Sequence, residues 1–157
     1  MWKPFQRYRA LDPAARRLFW RAVTLLPLIS LSLRFRGFKN TKEALQKKLP
    51  LNSGPATTND NDKEAESVAA ICRMVRAGSH YGILHPTCLV ESLALWYLLQ
   101  EQKIPAQLRI GVRRLPEKFE AHAWVEYEGV ALNQAEEAHK HYAAFDSGFS
   151  DLPGEKE

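Results

Sequence analysis

Residues 86–100 read PTCLVESLALWYLLQ, and two segments of different pattern follow them, IPAQLRIGV at 104–112 and AHAWVEY at 121–127. The first segment is apolar almost all round over helical length, which is typical of a helix at the centre of a fold. The other two favour strands, because apolar and polar residues alternate in them. A third strand is predicted over 130–133, with Val130 paired with Tyr127. A central helix followed by a small antiparallel sheet predicts the α+β class.

Three helices are predicted before this unit. Asp12 followed by Pro13 predicts a helix start, and an apolar face continues to about residue 35 with a kink at Pro27. A second short helix is predicted over 41–49 with Thr41 as its N-cap, and a third over 62–77 with apolar residues on one face. We therefore expect the first two helices to form an N-terminal helical arm, and the third to belong to the core.

Composition divides the chain into unequal parts. Residues 1–49 carry 12 Lys and Arg against two acidic residues, whereas the remainder carries 10 basic and 16 acidic residues. Residues 50–62 are rich in turn formers and poor in apolar residues. The predicted organisation is a basic helical arm at 1–49, a linker at 50–62, a core at 63–146 and a flexible tail at 147–157.

Several classes of function are disfavoured. The sequence contains no zinc spacing, no RNA-binding motif and no glycine-rich phosphate loop, so we expect no nucleic acid, metal or cofactor. The apolar run 22–33 covers 12 residues, short of the roughly 20 that a membrane-spanning helix needs. With only two cysteines, Cys72 and Cys88, no disulfide framework is indicated. These features predict a cytoplasmic protein, with peripheral membrane contact through residues 18–33 as an alternative.

Covalent chemistry is indicated by Cys88 and His122. Cys88 lies at the predicted start of the central helix, where the helix dipole favours an anion such as a thiolate. His122 lies in a following strand, which fixes its orientation and places Trp124 on the same face. We interpret Cys88 as a nucleophile and His122 as its general base, with four other histidines as weaker candidates. Cys72, on the apolar face of its helix, is interpreted as core packing.

A triad requires a third group to orient the imidazole. A two-residue turn at Glu128 and Gly129 would pair Trp124 with Asn133, so that Asn133 shares the face of His122. Gln134 would point the other way unless a bulge shifts the register. Asp146 could reach the site only if the intervening segment folds back, so this position stays open.

The segments HPTCLVESLALWYLLQEQKIPAQLRIGV and FEAHAWVEYEGVALNQ resemble the leader peptidases of lasso-peptide biosynthesis, which have a transglutaminase-like, papain-like core. The likeness covers about residues 63–146 strongly and extends to the arginine-rich arm. It implies a cysteine protease with Cys88 as nucleophile and His122 as base. In that family an aspartate typically follows the asparagine of the third strand, and here Gln134 occupies this position.

The resemblance also implies partners. These are the precursor's leader peptide, a small protein that presents the leader, and an asparagine-synthetase-like cyclase that closes the ring afterwards. Because a neutral amide cannot stabilise an imidazolium as a carboxylate does, Gln134 predicts a slow or partner-dependent protease. Two other functions stay open, a peptide-binding module that has lost its chemistry and an acyltransferase that passes the thioester to an amine.

Overall fold

The computed structural model describes residues 11–49, 61–82, 85–114, 119–133 and 143–144. Its helices are α1 (Pro13–Lys48), α2 (Asn61–Tyr81) and α3 (Cys88–Glu101). Its strands are β1 (Gln107–Arg114), β2 (Phe119–Tyr127), β3 (Val130–Ala131) and β4 (Ala143–Ala144). Helices followed by an antiparallel sheet confirm the α+β class. Of the predicted linker at 50–62, residues 50–60 lie outside the described residues and residues 61–62 belong to α2. The predicted tail at 147–157 also lies outside them.

Helix α1 begins as predicted and is interrupted later than predicted. Asp12 is its N-cap, accepting a hydrogen bond from the Ala15 N–H at 3.1 Å, and Pro13 follows. The non-helical backbone lies at Gly37, with φ 74° and ψ 177°, and not at Pro27. The helix resumes directly after Gly37, because glycine adopts positive φ without a steric penalty.

The predicted second helix is present as the part of α1 after Gly37, but Thr41 is not its N-cap. Thr41 lies inside the helix and is buried, and its hydroxyl is 2.9 Å from that of Ser32. This hydrogen bond joins the two halves of α1 across the break at Gly37. The polar residue that resembled a cap in the sequence instead holds the arm in its bent shape.

The arm packs against the rest of the protein. Its residues Ala22, Leu26 and Ile29 belong to the same buried cluster as the apolar residues of α2 and α3. At Gly78 of α2 the two helices approach so closely that an added Cβ would lie 3.1 Å from the Cβ of Ala22. Arg21 also donates to Glu101 of α3 at 2.6 Å. The arm thus shares one core with the helices that follow it.

By length and composition alone, α1 is also apolar enough to cross a membrane. This differs from our expectation, which counted an apolar run interrupted by Pro27. In this structure one face of the helix is buried against α2 and α3, and large apolar side chains remain on its other side: Trp20, Leu28, Leu31 and Phe35.

Helix α3 occupies the centre, as its composition predicted. Every residue from Val90 to Leu99 except Glu91 is buried. The one small hydroxyl among them is that of Ser92, which is 0% exposed. A buried hydroxyl in an apolar helix needs a hydrogen-bond partner, because an unpaired one costs about 1–3 kcal/mol.

The sheet has the strand order β3-β2-β1-β4. Strands β1 and β2 pair antiparallel, with Gly111 opposite His122 and Arg109 opposite Trp124. Glu128 and Gly129 both have positive φ, 49° and 78°, as the two central residues of a type I′ hairpin turn require. The predicted two-residue turn and the pairing of Tyr127 with Val130 are confirmed.

Strand β3 is shorter than predicted. Residues 130–133 were expected to form it, but it ends at Ala131. Leu132 still donates its N–H to the Val125 carbonyl at 2.9 Å, whereas the Val125 N–H donates to the side chain of Asn133, also at 2.9 Å. The strand stops because a side-chain amide takes the place of the next backbone carbonyl.

Candidate functional site

Cys88 is the first residue of α3. Thr87 is the N-cap, and its hydroxyl accepts from the Val90 N–H at 3.4 Å while its carbonyl accepts from the Glu91 N–H at 3.0 Å. The thiol is half-buried and is not in a disulfide. The structure thus confirms the helix-start position that the sequence indicated, the position in which a helix dipole favours a negative charge.

His122 lies in the middle of β2 and is half-buried. Its ring stacks on that of Trp124, with centroids 6.3 Å apart and an angle of 21° between the planes, so the prediction that the two share a face is confirmed. The residue opposite His122 in β1 is Gly111. Because glycine has no side chain, this neighbour leaves space beside the imidazole.

A hydrogen bond joins the elements that carry these two residues. The Ser92 hydroxyl of α3 donates to the carbonyl of Ala123 at 2.9 Å. Ser92 is one helical turn after Cys88, and Ala123 is the residue after His122. This bond joins the helix of Cys88 to the strand of His122. Among the described residues, the Cys88 and His122 side chains make no direct hydrogen bond with each other.

The direction of the Ala123 carbonyl locates this contact. Alternate residues of a strand direct their backbone groups to the same neighbour, and Val125 directs its own toward β3. The Ala123 carbonyl therefore points to the same side, at an edge where β3 has already ended. The Ser92 end of α3 consequently lies beside the edge of β2, near the residue that carries the imidazole.

Of the three candidates for the third position of the triad, the structure describes only Asn133. Asn133 shares the predicted neighbourhood, but its two hydrogen bonds run to the Val125 N–H and, from Nδ2, to the Ser92 hydroxyl at 2.8 Å. Neither of these bonds goes to His122, and the identity of the group that orients the imidazole stays a prediction. Gln134 and Asp146 lie outside the described residues.

Ser92 was missed by the analysis of the sequence. A signal was present, since Ser92 is a single small hydroxyl among apolar residues, four positions after the proposed nucleophile. Residues four apart lie on the same side of a helix. A polar residue placed there in an otherwise apolar helix indicates a specific hydrogen bond, which here reaches β2.

The second cysteine has the environment of a packing residue. Cys72 lies within α2 and packs against the buried cluster, as predicted. Burial is the main cause that raises the pKa of its thiol from 9.0 to about 11, opposed by the nearby Arg76 guanidinium. Among the residues that the structure describes, no group of three or more His, Cys, Asp or Glu is placed to hold a metal ion.

Comparison with known proteins supports the fold assignment. The profile of the transglutaminase-like superfamily matches residues 25–146, which confirms the transglutaminase-like core. The match begins within α1 and includes the helix of Cys88 and the strand of His122. No curated protein and no solved structure shows significant similarity to the chain.

Proposed function

Since the chain belongs to the transglutaminase-like superfamily, which includes cysteine proteases and acyltransferases, we propose that it is a cysteine protease. Its proposed substrate is the precursor of a lasso peptide, from which it removes the leader. The observation that carries the proposal is the thiol at the first position of α3, in a helix hydrogen-bonded to the strand of His122. The resemblance of the 85–134 region to lasso leader peptidases supports the substrate class.

The start of α3 supplies the groups that acyl chemistry needs. The Val90 and Glu91 N–H groups are engaged by Thr87, which leaves the amides of Cys88 and Leu89 at the helix end as donors for an oxyanion. In the proposed reaction the Cys88 sulfur attacks the carbonyl at the junction of leader and core peptide. The carbonyl carbon of the leader forms a thioester with Cys88, its bond to the nitrogen of the core peptide breaks, and the core peptide leaves as a free amine.

His122 moves the proton in both halves of this reaction. It accepts the thiol proton and gives it to the leaving amine, and it then takes a proton from the water that hydrolyses the thioester. Hydrolysis releases the leader as a carboxylic acid and regenerates Cys88. The core peptide would then pass to an asparagine-synthetase-like cyclase, and the chemistry proposed here requires no metal or nucleotide.

The third position determines how fast this site would work. Gln134 stands where the family typically has aspartate, and an amide orients an imidazole without neutralising its positive charge. We propose that the protease is slow or depends on its partner. Gln134→Asp should therefore raise the rate of leader release, and an unchanged rate would exclude Gln134 as the orienting residue.

The arm offers a surface for recruitment. A groove runs between its two halves, and exposed Leu28, Leu31 and Phe35 line it together with Arg36 and Lys48. An apolar groove with basic residues suits a segment that presents apolar and acidic side chains. We propose that a small recognition protein carrying the leader binds here.

This recruitment is tested with Leu31→Ser and Phe35→Ser, using Trp20→Ser as a control on the same helix but outside the groove lining. We expect the two groove variants to weaken binding of the recognition protein at least about tenfold, as loss of buried apolar anchors does. Equal binding by all variants would refute the role of the groove. If the two groove variants bind the recognition protein normally but lose the co-sedimentation with anionic liposomes that Trp20→Ser retains, the groove instead docks on the cytoplasmic membrane surface.

The proteolytic function is tested by intact-mass analysis of a precursor incubated with the recognition protein and with wild-type, Cys88→Ala or His122→Ala protein. Release of the leader by wild type alone is expected. Binding of the precursor without cleavage by all three proteins would favour a peptide-binding module. If added amine appears in the leader product of the wild-type reaction, the protein is an acyltransferase, because the same thioester can be resolved by an amine.

A further inference from the structure

The hydrogen bonds around Ser92 form a continuous chain between α3 and the sheet. Asn133 Nδ2 donates to the Ser92 hydroxyl at 2.8 Å, and that hydroxyl donates to the Ala123 carbonyl at 2.9 Å. The Val125 N–H donates to Asn133 Oδ1 at 2.9 Å. Ser92 therefore acts as donor and acceptor at once, and Asn133 joins it to the next backbone group along β2. We call Ser92 and Asn133 the edge clamp.

The edge clamp replaces the backbone pairing that β3 would have provided. If β3 continued in its register, Leu132 would pair with Val125 and accept its N–H. Instead, Asn133 accepts from Val125, and Ser92 satisfies Ala123, the next residue whose backbone faces that edge. Two side chains thus make the hydrogen bonds that a neighbouring strand would make with this edge of β2. One of them, Ser92, belongs to the helix of the nucleophile.

The position of the edge clamp relates it to both proposed catalytic residues. Ser92 lies four residues after Cys88, a rise of about 6 Å along the same side of the helix. Ala123 follows His122 directly in a strand that also pairs with β1. A shift of α3 relative to β2 would therefore change the separation of the thiol and the imidazole.

We propose that Ser92 and Asn133 are positioning residues that fix the helix of Cys88 relative to the strand of His122. This inference rests on the proposed function, because it assumes that Cys88 and His122 work together. Asn133 acts through Ser92 and the backbone of β2. The hydroxyl of Ser92 is required because an alanine would leave both the Ala123 carbonyl and the Asn133 amide without this partner.

The test measures alkylation of Cys88 by iodoacetamide between pH 5.5 and 9, with the labelled site identified by peptide mapping. A thiolate supported by His122 reacts at lower pH than an isolated thiol. At pH 6.5 we expect His122→Ala to slow the alkylation about tenfold, because the thiol then has no base to take its proton. Ser92→Ala should slow it by a similar factor and move the pH profile toward that of His122→Ala.

Three further variants separate positioning from general loss of stability. Tyr127→Phe removes a different hydrogen bond of β2, the 2.7 Å bond from Tyr127 to Glu64 of α2, and should keep the wild-type profile. Asn133→Asp preserves an acceptor for Val125 but loses the donor to Ser92, so it should follow Ser92→Ala. Ser92→Thr retains a hydroxyl and should recover most of the wild-type profile. These variants preserve the test if Ser92→Ala does not fold.

The outcomes distinguish the two proposals. If His122→Ala changes the profile but Ser92→Ala and Asn133→Asp do not, the edge clamp has no positioning role and the proposed function is unaffected. If wild type and His122→Ala share one profile, the pair itself is refuted. With a cleavable precursor, loss of the edge clamp should lower kcat about tenfold to a hundredfold at nearly constant KM, as a small misplacement of reacting groups does.

Discussion

The two cysteines occupy opposite kinds of position in similar helices. Both are half-buried and neither is in a disulfide. Cys72 lies within α2, where burial raises the pKa of its thiol to about 11. Cys88 is the first residue of α3, beside backbone amides that have no carbonyl four residues earlier in the helix. Location along the helix therefore separates the two thiols more than their exposure does.

The surroundings of each thiol follow from this location. Within a helix the backbone amides are already bonded, so Cys72 meets apolar neighbours and Arg76. At the start of a helix the amides point outward and a polar N-cap is required, so Cys88 has Thr87 beside it. The same side chain is suited to packing in one place and to covalent chemistry in the other.

Replacing each cysteine with alanine should have the largest and most different effects at the two positions. Cys88→Ala should reduce leader release at least about a thousandfold, since loss of the nucleophile removes the covalent path. Cys72→Ala should stay within about threefold of wild type, because it removes only packing atoms away from the reaction. Single-turnover assays with the recognition protein measure both rates, and equal losses would show that Cys72 also belongs to the site.

The reactivity of the two thiols provides a sharper comparison in one sample. A shift of the Cys72 pKa from 9.0 to about 11 lowers its thiolate fraction near pH 7.5 about a hundredfold relative to an ordinary cysteine. We expect iodoacetamide to label Cys88 at least about a hundredfold faster in the native protein. In urea the two labelling rates should converge, and equal rates in the native protein would contradict the assignment.

The helix start itself is tested by removing its cap. Thr87→Ala should lower the free energy of unfolding by about 1 kcal/mol, as loss of an N-cap typically does, and should slow leader release several-fold. Asp12→Ala removes the corresponding cap of α1 and should cost a similar amount without slowing the single-turnover reaction. Urea denaturation and the same cleavage assay measure both effects. Equal rates for the two variants would mean that the cap is only structural.

The free energy of unfolding is also expected to depend on pH. Folded Cys72 keeps its proton to about pH 11, whereas an unfolded cysteine releases it near 9.0, so stability falls as the pH rises between these values. Cys72→Ala should therefore reduce the loss of unfolding free energy between pH 8.5 and 10.5. Tyr127→Phe should likewise reduce the loss of unfolding free energy, but between about pH 10 and 12, because the hydrogen bond to Glu64 raises the pKa of Tyr127 from 10.0 to about 12. Urea unfolding at several pH values measures both; unchanged slopes would contradict the prediction.

The sequence predicted those features whose cause is local. The N-cap Asp12, the helix start at Cys88, the apolar helix α3 and the hairpin turn at Gly129 depend on neighbouring residues and were predicted close to their observed positions. Helix α2 extends past its predicted end at residue 77 to Tyr81, and β2 begins two residues before the predicted 121. Such ends depend on packing as well as on propensity.

The features that were missed depend on residues distant in sequence. Nothing local shows that Asn133 replaces a backbone carbonyl, because this requires Ser92 to lie 41 positions earlier on an adjoining helix. The pairing of β4 with β1 likewise joins residues about 30 positions apart, and no strand was predicted at residues 143–144. Thr41 was misinterpreted for the same reason, since its partner Ser32 lies on the other side of the break at Gly37.

The close approach at Gly78 has a consequence for synthesis on the ribosome. Helix α1 is made first, but the glycine that its residue Ala22 packs against is the 78th residue, and Glu101, which pairs with Arg21, comes later still. Until those residues emerge, the face containing Leu26 and Ile29 is open to water together with the apolar residues on the other side of the helix. The nascent arm is therefore a natural client for chaperones, and the chain is most prone to aggregation before α2 and α3 have been completed.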